Sequence, residues 1–351
     1  MSYQVHQVLL YRLVDSDLAP LSENVLSRSP PILPPRLHDR VLESAELVGD
    51  RLLVEPANLA YNAETRLIYT GCTDLVDDKE KAKNYVKVEN WAFTGVQPLG
   101  LAFGPDKQLI VAYAYKGLLR VSREGTMVEL LTDEAEGLKF RLTDGVDVGR
   151  DGMIYFTDAS YKYSLDNPMV EVLEGRPYGR LISFDPSINK TRVLARHLYF
   201  ANGVALSPNQ DFLIFCETVL RKCSKYHIQG ERRGNIETFI DNLYGFPDNI
   251  RYDGDGCFWI GIASEKTVFW DALMRYPILR KTVWMLEKVV RFPYTHSHGG
   301  VMVVNLEGEA IALYSEQGLS MVSNGIKIGN HLYIGYVANT YITRLHLNQL
   351  P

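Results

Sequence analysis

The stretch FANGVALSPNQDFLIFCET, residues 200–218, decides the fold. An Asn-Gly step opens it. A short alternating run follows, then a Ser/Pro/Asn/Asp turn, then a nearly unbroken apolar run. That order is strand, tight turn, strand. The second run is apolar at successive positions, as a strand covered on both faces requires. The same pattern recurs in ANLAYNAETRLIYTGCT (57–73), LGLAFGPDKQLIVAYAY (99–115), DGVDVGRDGMIYFTDAS (144–160), DNIRYDGDGCFWIGIAS (248–264) and NGIKIGNHLYIGYVANT (324–340). Asn58, Gly100, Gly145, Gly203, Asn249 and Gly325 mark equivalent places. Their spacing is roughly 40–50 residues, stretched where a loop at 161–178 and an insertion at 265–297 intervene. Repeats of that size, with about four strands each, build propeller blades. The expected fold is all-β, a six-bladed β-propeller around a central channel. Residues 41–351 form it as a single domain, preceded by an N-terminal extension, 1–40. The insertion reads as partly helical, broken at Pro277, and either caps one end of the channel or decorates its rim.

The bulk chemistry narrows the partners. The 351 residues carry a formal charge of −5, and 46% are hydrophobic. A large core is affordable, and a nucleic-acid partner is disfavoured because such binders need a basic face. No run of apolar residues is long enough to span a membrane. The opening MSYQVHQVLLYRLVDSDLAPL reads neither as a signal peptide nor as an anchor, since its apolar part is short and carries Arg12 and Asp15. Four cysteines are too few for a disulfide scaffold. Cys216 and Cys223 flank ETVLRK, where a hairpin turns, and can pair or remain thiols.

The residue before each marker takes an equivalent place near the channel mouth. In order these are Ala57, Leu99, Asp144, Asn202, Asp248 and Asn324. Four bear oxygen and come from blades far apart in sequence. Such a set suits a hard cation such as calcium through Asp144, Asn202 and Asp248. It also suits acid/base work by Asp144 and Asp248, since two carboxylates sharing a site push one pKa up. The plainer reading is that Asp and Asn before a strand form turns. His296 and His298 precede the strand-like VMVVNL, read as part of the sixth repeat, and His298 is a candidate base. Ser323, Asn324, Ala57 and Tyr113 are candidate substrate contacts. No adjacent His/Asp order makes Ser323 part of a triad. YDGDG (252–256) lacks the spacing of a calcium loop and reads as a hairpin turn.

Beyond the repeat, NWAFTGVQPLGLAFG, YAYKGLLRV, LLTDEAEGLKF, IYFTDASYKYSL, EGRPYGRLISFDP, YFANGVALSP, CSKYHI and PDNIRYDGDG resemble plant strictosidine synthase-like proteins, in order from about residue 40 onward. The resemblance implies a six-bladed propeller, in a superfamily that includes calcium-dependent lactonases and esterases. It also implies departures. The synthase base is a glutamate just upstream of a last-blade strand like GNHLYIG, and its best match here is Ser323, so strictosidine formation itself is not expected. Synthases tend to carry glycine where this chain keeps Asn202 and Asp248. Hydrolase-like relatives carry a metal-binding Glu where Ala57 follows Glu55-Pro56. They tend to carry Asn where Asp144 stands and Asp where Tyr113 stands.

Three functions follow as expectations. The first is ester or lactone hydrolysis of a small molecule, assisted by calcium on Asp144, Asn202 and Asp248. The second is metal-free condensation, cyclisation or isomerisation in plant alkaloid or other specialised metabolism, with Asp144 or Asp248 moving the proton. The third is a non-catalytic ligand-binding propeller. Substrate, compartment and oligomeric state stay open; family members are often secretory or vacuolar.

Overall fold

The computed structural model describes residues 30–75, 87–95, 97–166, 168–287 and 298–349. Its architecture is an all-β propeller. The innermost strands are β1 (Leu59–Asn62), β2 (Pro98–Phe103), β3 (Thr143–Val148), β4 (Ala201–Leu206), β5 (Gly245–Tyr252) and β6 (Val322–Ile328). Each of β2 to β6 starts a sheet of four or five strands that steps outward in antiparallel order. The fourth strand of the last sheet is Glu46–Val48, from the start of the chain, paired with Ile342–His346. Arg36–His38, inside the stretch read as an extension, adds a parallel fifth strand to the β5 sheet beside Ala310–Ser315.

The propeller therefore has five full blades, not six. Among the described residues, the first repeat forms a two-stranded hairpin, β1 with Leu67–Thr70. The reason is where neighbouring chain goes. Glu46–Val48 closes the last blade, and Asp74–Leu75 turns back to pair with Leu53–Val54. The hairpin still fills the gap between the β6 and β2 sheets. Leu59 packs with Leu53, Ile326 and Ile342 on one side. Ala60 packs with Leu101, Val111 and Tyr113 on the other.

Apolar seams hold successive sheets together, and strand alternation supplies them. In Phe212–Glu217, Leu213 and Phe215 face the β3 sheet while Ile214 and Cys216 face the β5 sheet. That is why FLIFC has no polar face. Cys216 and Cys223 stand opposite each other on adjacent strands and are disulfide-bonded.

VMVVNL lies in Gly300–Asn305, the third strand of the β5 blade, rather than in the last blade. The insertion precedes it and holds helices α2 (Val268–Arg275) and α3 (Pro277–Glu287), divided at Pro277 as its fixed φ demands. Thr267 caps α2 by accepting from the Trp270 amide. The loop at 161–178 contributes an unforeseen helix, α1 (Pro168–Glu174). Val172 and Leu173 of α1 pack with Leu273, Met274 and Trp284 of the other two helices. No helix among the described residues is long and apolar enough to cross a membrane.

Candidate functional site

Each full blade breaks its hydrogen-bond register at the same place on its innermost strand. The breaks fall between Pro98 and Gly100, Thr143 and Val146, Ala201 and Val204, Pro247 and Ile250, and Val322 and Asn324. Such bulges re-aim side chains and favour functional sites. They set Leu99, Asp144, Asn202, Asp248 and Ser323 as equivalents. The sixth place in the ring thus belongs to Ser323, not to Asn324 as the glycine alignment implies. The backbone agrees. Glu55, Gln97, Phe200 and Met321 all have positive φ, between 54 and 66°. They stand two residues before Ala57, Leu99, Asn202 and Ser323.

The Asn-Gly step of the opening stretch now has its reason. A Cβ on Gly203 would lie 2.5 Å from the Ile250 amide nitrogen of the next blade. Only glycine lets the bulges of adjacent blades come so close. Asn249 stands at the equivalent place in β5. Its amide instead donates to Asp248 Oδ1 at 3.1 Å and to Ser323 Oγ at 3.1 Å.

Asp144 and Asp248 form the charged heart of the ring. Asp144 is 5% exposed. Burial, and then the charge of Asp248, hold its pKa well above the ordinary carboxylate value. Burial likewise pushes Asp248 up to about 7, against hydrogen bonds from Ser323, Asn202 and Asn249 that favour its charge. The Ser323 hydroxyl donates to Asp248 Oδ1 at 3.4 Å. Asn202 is buried, and its Oδ1 has no donor. Its amide nitrogen donates to Thr218 Oγ1, whose own proton goes to Pro247 O at 2.7 Å. Asn324 is fully buried behind the ring, with neither side-chain polar atom hydrogen-bonded.

The other half of the mouth is apolar. Ala57 and Leu99 pack with Ala114, Leu142 and Ala159, and Leu165, Phe200 and Val337 lie partly exposed against them. Glu55 does not reach the aspartates. Its carboxylate accepts from Thr73 at 2.5 Å and from Gln97 at 3.2 Å on the rim. Tyr113 is 5% exposed in the seam beside the hairpin. It lies edge-on to Tyr115, whose hydroxyl donates to Asp166. His298 is 42% exposed and faces Glu265 at 3.9 Å, and Glu265 pairs with Gly245 at the start of β5, three residues before Asp248. His296 lies outside the described residues. YDGDG is a turn: Asp253 accepts from the Asp255 and Cys257 amides.

Two buried charges support the site from behind. Arg180 donates to Asp158 at 2.6 Å, and Asp158 also accepts from the Leu142 amide, fixing the chain just before Asp144. Arg251 crosses the channel below the ring, donating to Val146 O, Leu101 O and Asn58 Oδ1 from three other innermost segments. The sequence reading passed over both arginines, since neither belongs to a repeated pattern.

Among the described residues, no group of three or more His, Cys, Asp and Glu could hold a metal. The candidate set is two carboxylates and an amide oxygen. It fits a hard cation on two counts: the carboxylates repel each other, and Asn202 Oδ1 is buried without a donor.

The sequence model of the strictosidine synthase family matches residues 144–231, which span Asp144 and Asn202. Protein STRICTOSIDINE SYNTHASE-LIKE 4 of Arabidopsis thaliana is 47% identical over 348 residues, covering 98% of this chain and 93% of its own. The adipocyte plasma membrane-associated protein of Bos taurus is 30% identical over 370 residues, covering 95% and 86%. Among solved structures, a gluconolactonase from Xanthomonas campestris superposes with a TM-score of 0.60 at 15% identity, covering 92% of this chain and 98% of its own. Regucalcin from Agrobacterium tumefaciens, a calcium-binding protein, gives 0.50 at 13% identity, covering 94% and 91%. At those identities the two structures establish the shared fold alone. The Arabidopsis relative matches nearly end to end, and the chain belongs to the strictosidine synthase-like family.

Proposed function

We propose that this protein is a small-molecule hydrolase of esters or lactones, working at the channel mouth with a bound cation, calcium by donor type. The observation that carries this reading is the convergence of Asp144, Asn202 Oδ1 and Asp248 from three successive blades, two like charges with no cationic partner between them. Those three residues would hold the cation, which when bound polarises a carbonyl and stabilises an oxyanion. Ser323 orients Asp248 through its hydroxyl. Thr218 accepts from the Asn202 amide nitrogen, and the amide oxygen is left without a donor among the described residues. The apolar side around Leu99 and Phe200 excludes water from the substrate's body. Without a cation, burial pushes Asp248 up to about 7, where a carboxylate can take a proton from water at neutral pH.

That same pKa favours a second reading, metal-free acid/base condensation or cyclisation. Asp248, buried beside Asp144, would pass a proton between reacting groups. The deciding experiment is metal content after chelator-free purification, with thermal melts with and without calcium. Near-stoichiometric calcium and a raised Tm, both lost in Asp248→Ala, keep the hydrolase reading. No metal and no shift sink it, and amine–aldehyde and cyclisation substrates are then tested with Asp144→Asn as control. Binding of substrate with no turnover by either route would leave a ligand-binding propeller.

A further inference from the structure

Phe200 stands where the helices, the apolar wall and the candidate cation donors meet. Its φ is +58°, a backbone state that a bulky side chain rarely adopts. Glu55, Gln97 and Met321 share that state at equivalent places, so it belongs to the blade, and what sets Phe200 apart is its side chain. Its side chain touches two separate apolar clusters. One is the mouth cluster of Ala57, Leu99 and Leu142. The other is the helical cluster of Leu173, Leu273 and Trp284. Its carbonyl accepts from the Thr218 amide, and Thr218 holds Asn202. One residue therefore joins the helices, the apolar wall and the candidate cation donors.

The helices dock on the same side. Trp270 of α2 packs edge-on to Phe246, ring centroids 4.5 Å apart, and Phe246 stands two residues before Asp248. Leu165, Phe200 and Val337 remain partly exposed beside the ring. The mouth is thus chemically split: an apolar wall on one side, and carboxylate, amide and hydroxyl on the other.

We infer that the mouth recognises an amphipathic ligand, an aryl or alkyl body carrying one polar head, and that Phe200 is the residue that selects for the apolar body. A polyhydroxylated sugar lactone is disfavoured, because its hydroxyls would lose water against Leu165, Phe200 and Val337 without gaining partners. This inference rests on the mouth being the reactive site, as proposed above, but not on the reaction being hydrolysis.

The test uses the full chain with calcium present, 2-naphthol as the binding probe and 2-naphthyl acetate and glucono-lactone as paired substrates. Naphthol binding is read by fluorescence titration. Phe200→Ala is expected to weaken it about tenfold, the scale of losing one buried aromatic contact. Phe200→Leu should recover most of that loss. Leu165→Ser, on a separate loop, should weaken binding several-fold and guards against a Phe200 variant that fails to fold. Competition of naphthol binding by naphthyl acetate but not by glucono-lactone is the supporting pattern. Equal naphthol affinity in wild type, Phe200→Ala and Leu165→Ser would overturn the inference. So would turnover of glucono-lactone in preference to the naphthyl ester, although the hydrolase reading would then survive. Naphthol binding that depends on Phe200, with neither ester nor lactone turned over, would sustain the inference and remove the hydrolase reading.

Discussion

Two buried aspartates, Asp158 and Asp144, sit at the open end of one hairpin and live by different rules. Asp158 ends the second strand of its blade and has Arg180 at 2.6 Å. Burial pushes it up to about 6, and the guanidinium and two backbone amides pull the other way. Asp144 starts the innermost strand of the same blade and faces a second carboxylate. Among the described residues, Arg180 supplies the counter-charge for the first and no cation does so for the second. A buried charge lacking its partner costs several kcal/mol unless something external supplies it. Asp158 is therefore scaffold, and Asp144 with Asp248 is the place where the proposed cation or proton would act.

The sharpest way to break this comparison is Arg180→Ala. It strands Asp158 and should lower the unfolding free energy by about 3–5 kcal/mol, measured by urea denaturation. Calcium should not reverse the loss. A deficit below about 1 kcal/mol would show that Asp158 needs no internal partner. At the other aspartates, saturating calcium at about 100 times Kd should stabilise the wild type by roughly 2.7 kcal/mol and Asp248→Ala by nothing. Equal shifts in both proteins would move the cation elsewhere.

The pH dependence follows with its sign. Both ring aspartates have folded-state pKa values above their unfolded ones, so the native state keeps protons that the unfolded chain releases. Their contribution is fully present below the unfolded value of about 4 and is lost as pH rises through the folded value, about 7 for Asp248. Without calcium, the unfolding free energy should fall between about pH 4 and pH 7, by at most roughly 1.4 kcal/mol per unit for each group, and Tm should fall with it. Asp248→Asn should flatten that slope; an unchanged slope would assign it to other groups. The smallest effect concerns the ring itself. Ser323→Ala should raise the Asp248 titration midpoint by under about one unit, as one hydrogen bond to the charged form is lost, while Asn324→Ala should leave it in place. The reverse result would return the sixth ring position to Asn324.

The ring was partly legible. Asp144, Asn202 and Asp248 share a local signature, a polar residue just before a small one and a strand, and that signature predicts where their side chains start. Ser323 was legible as a substrate contact but not as the ring member, because its strand offers two small-residue alignments, Ser-Asn and Asn-Gly. Only the register against His331–Tyr336 chooses between them. Glu55 illustrates the same limit. Its position two residues from Ala57 was readable, but its direction depends on Thr73 and Gln97, which reach it through tertiary structure.

What the sequence by itself determined was everything that depends on neighbours a few residues away. It set the strand–turn–strand repeat, the double-faced apolar strands and the break between α2 and α3 at Pro277. Alternation, turn chemistry and a fixed φ are local physics. Tertiary structure decided what depends on distant chain. Glu46–Val48 was spent on the last blade, leaving five full blades and a hairpin. The loop at 161–178 lent α1 to the apolar cluster it shares with α2 and α3. Cys216 met Cys223 because the hairpin register set them face to face. These outcomes turn on register and ring closure, which are fixed by packing between blades and carry no signature in any one repeat.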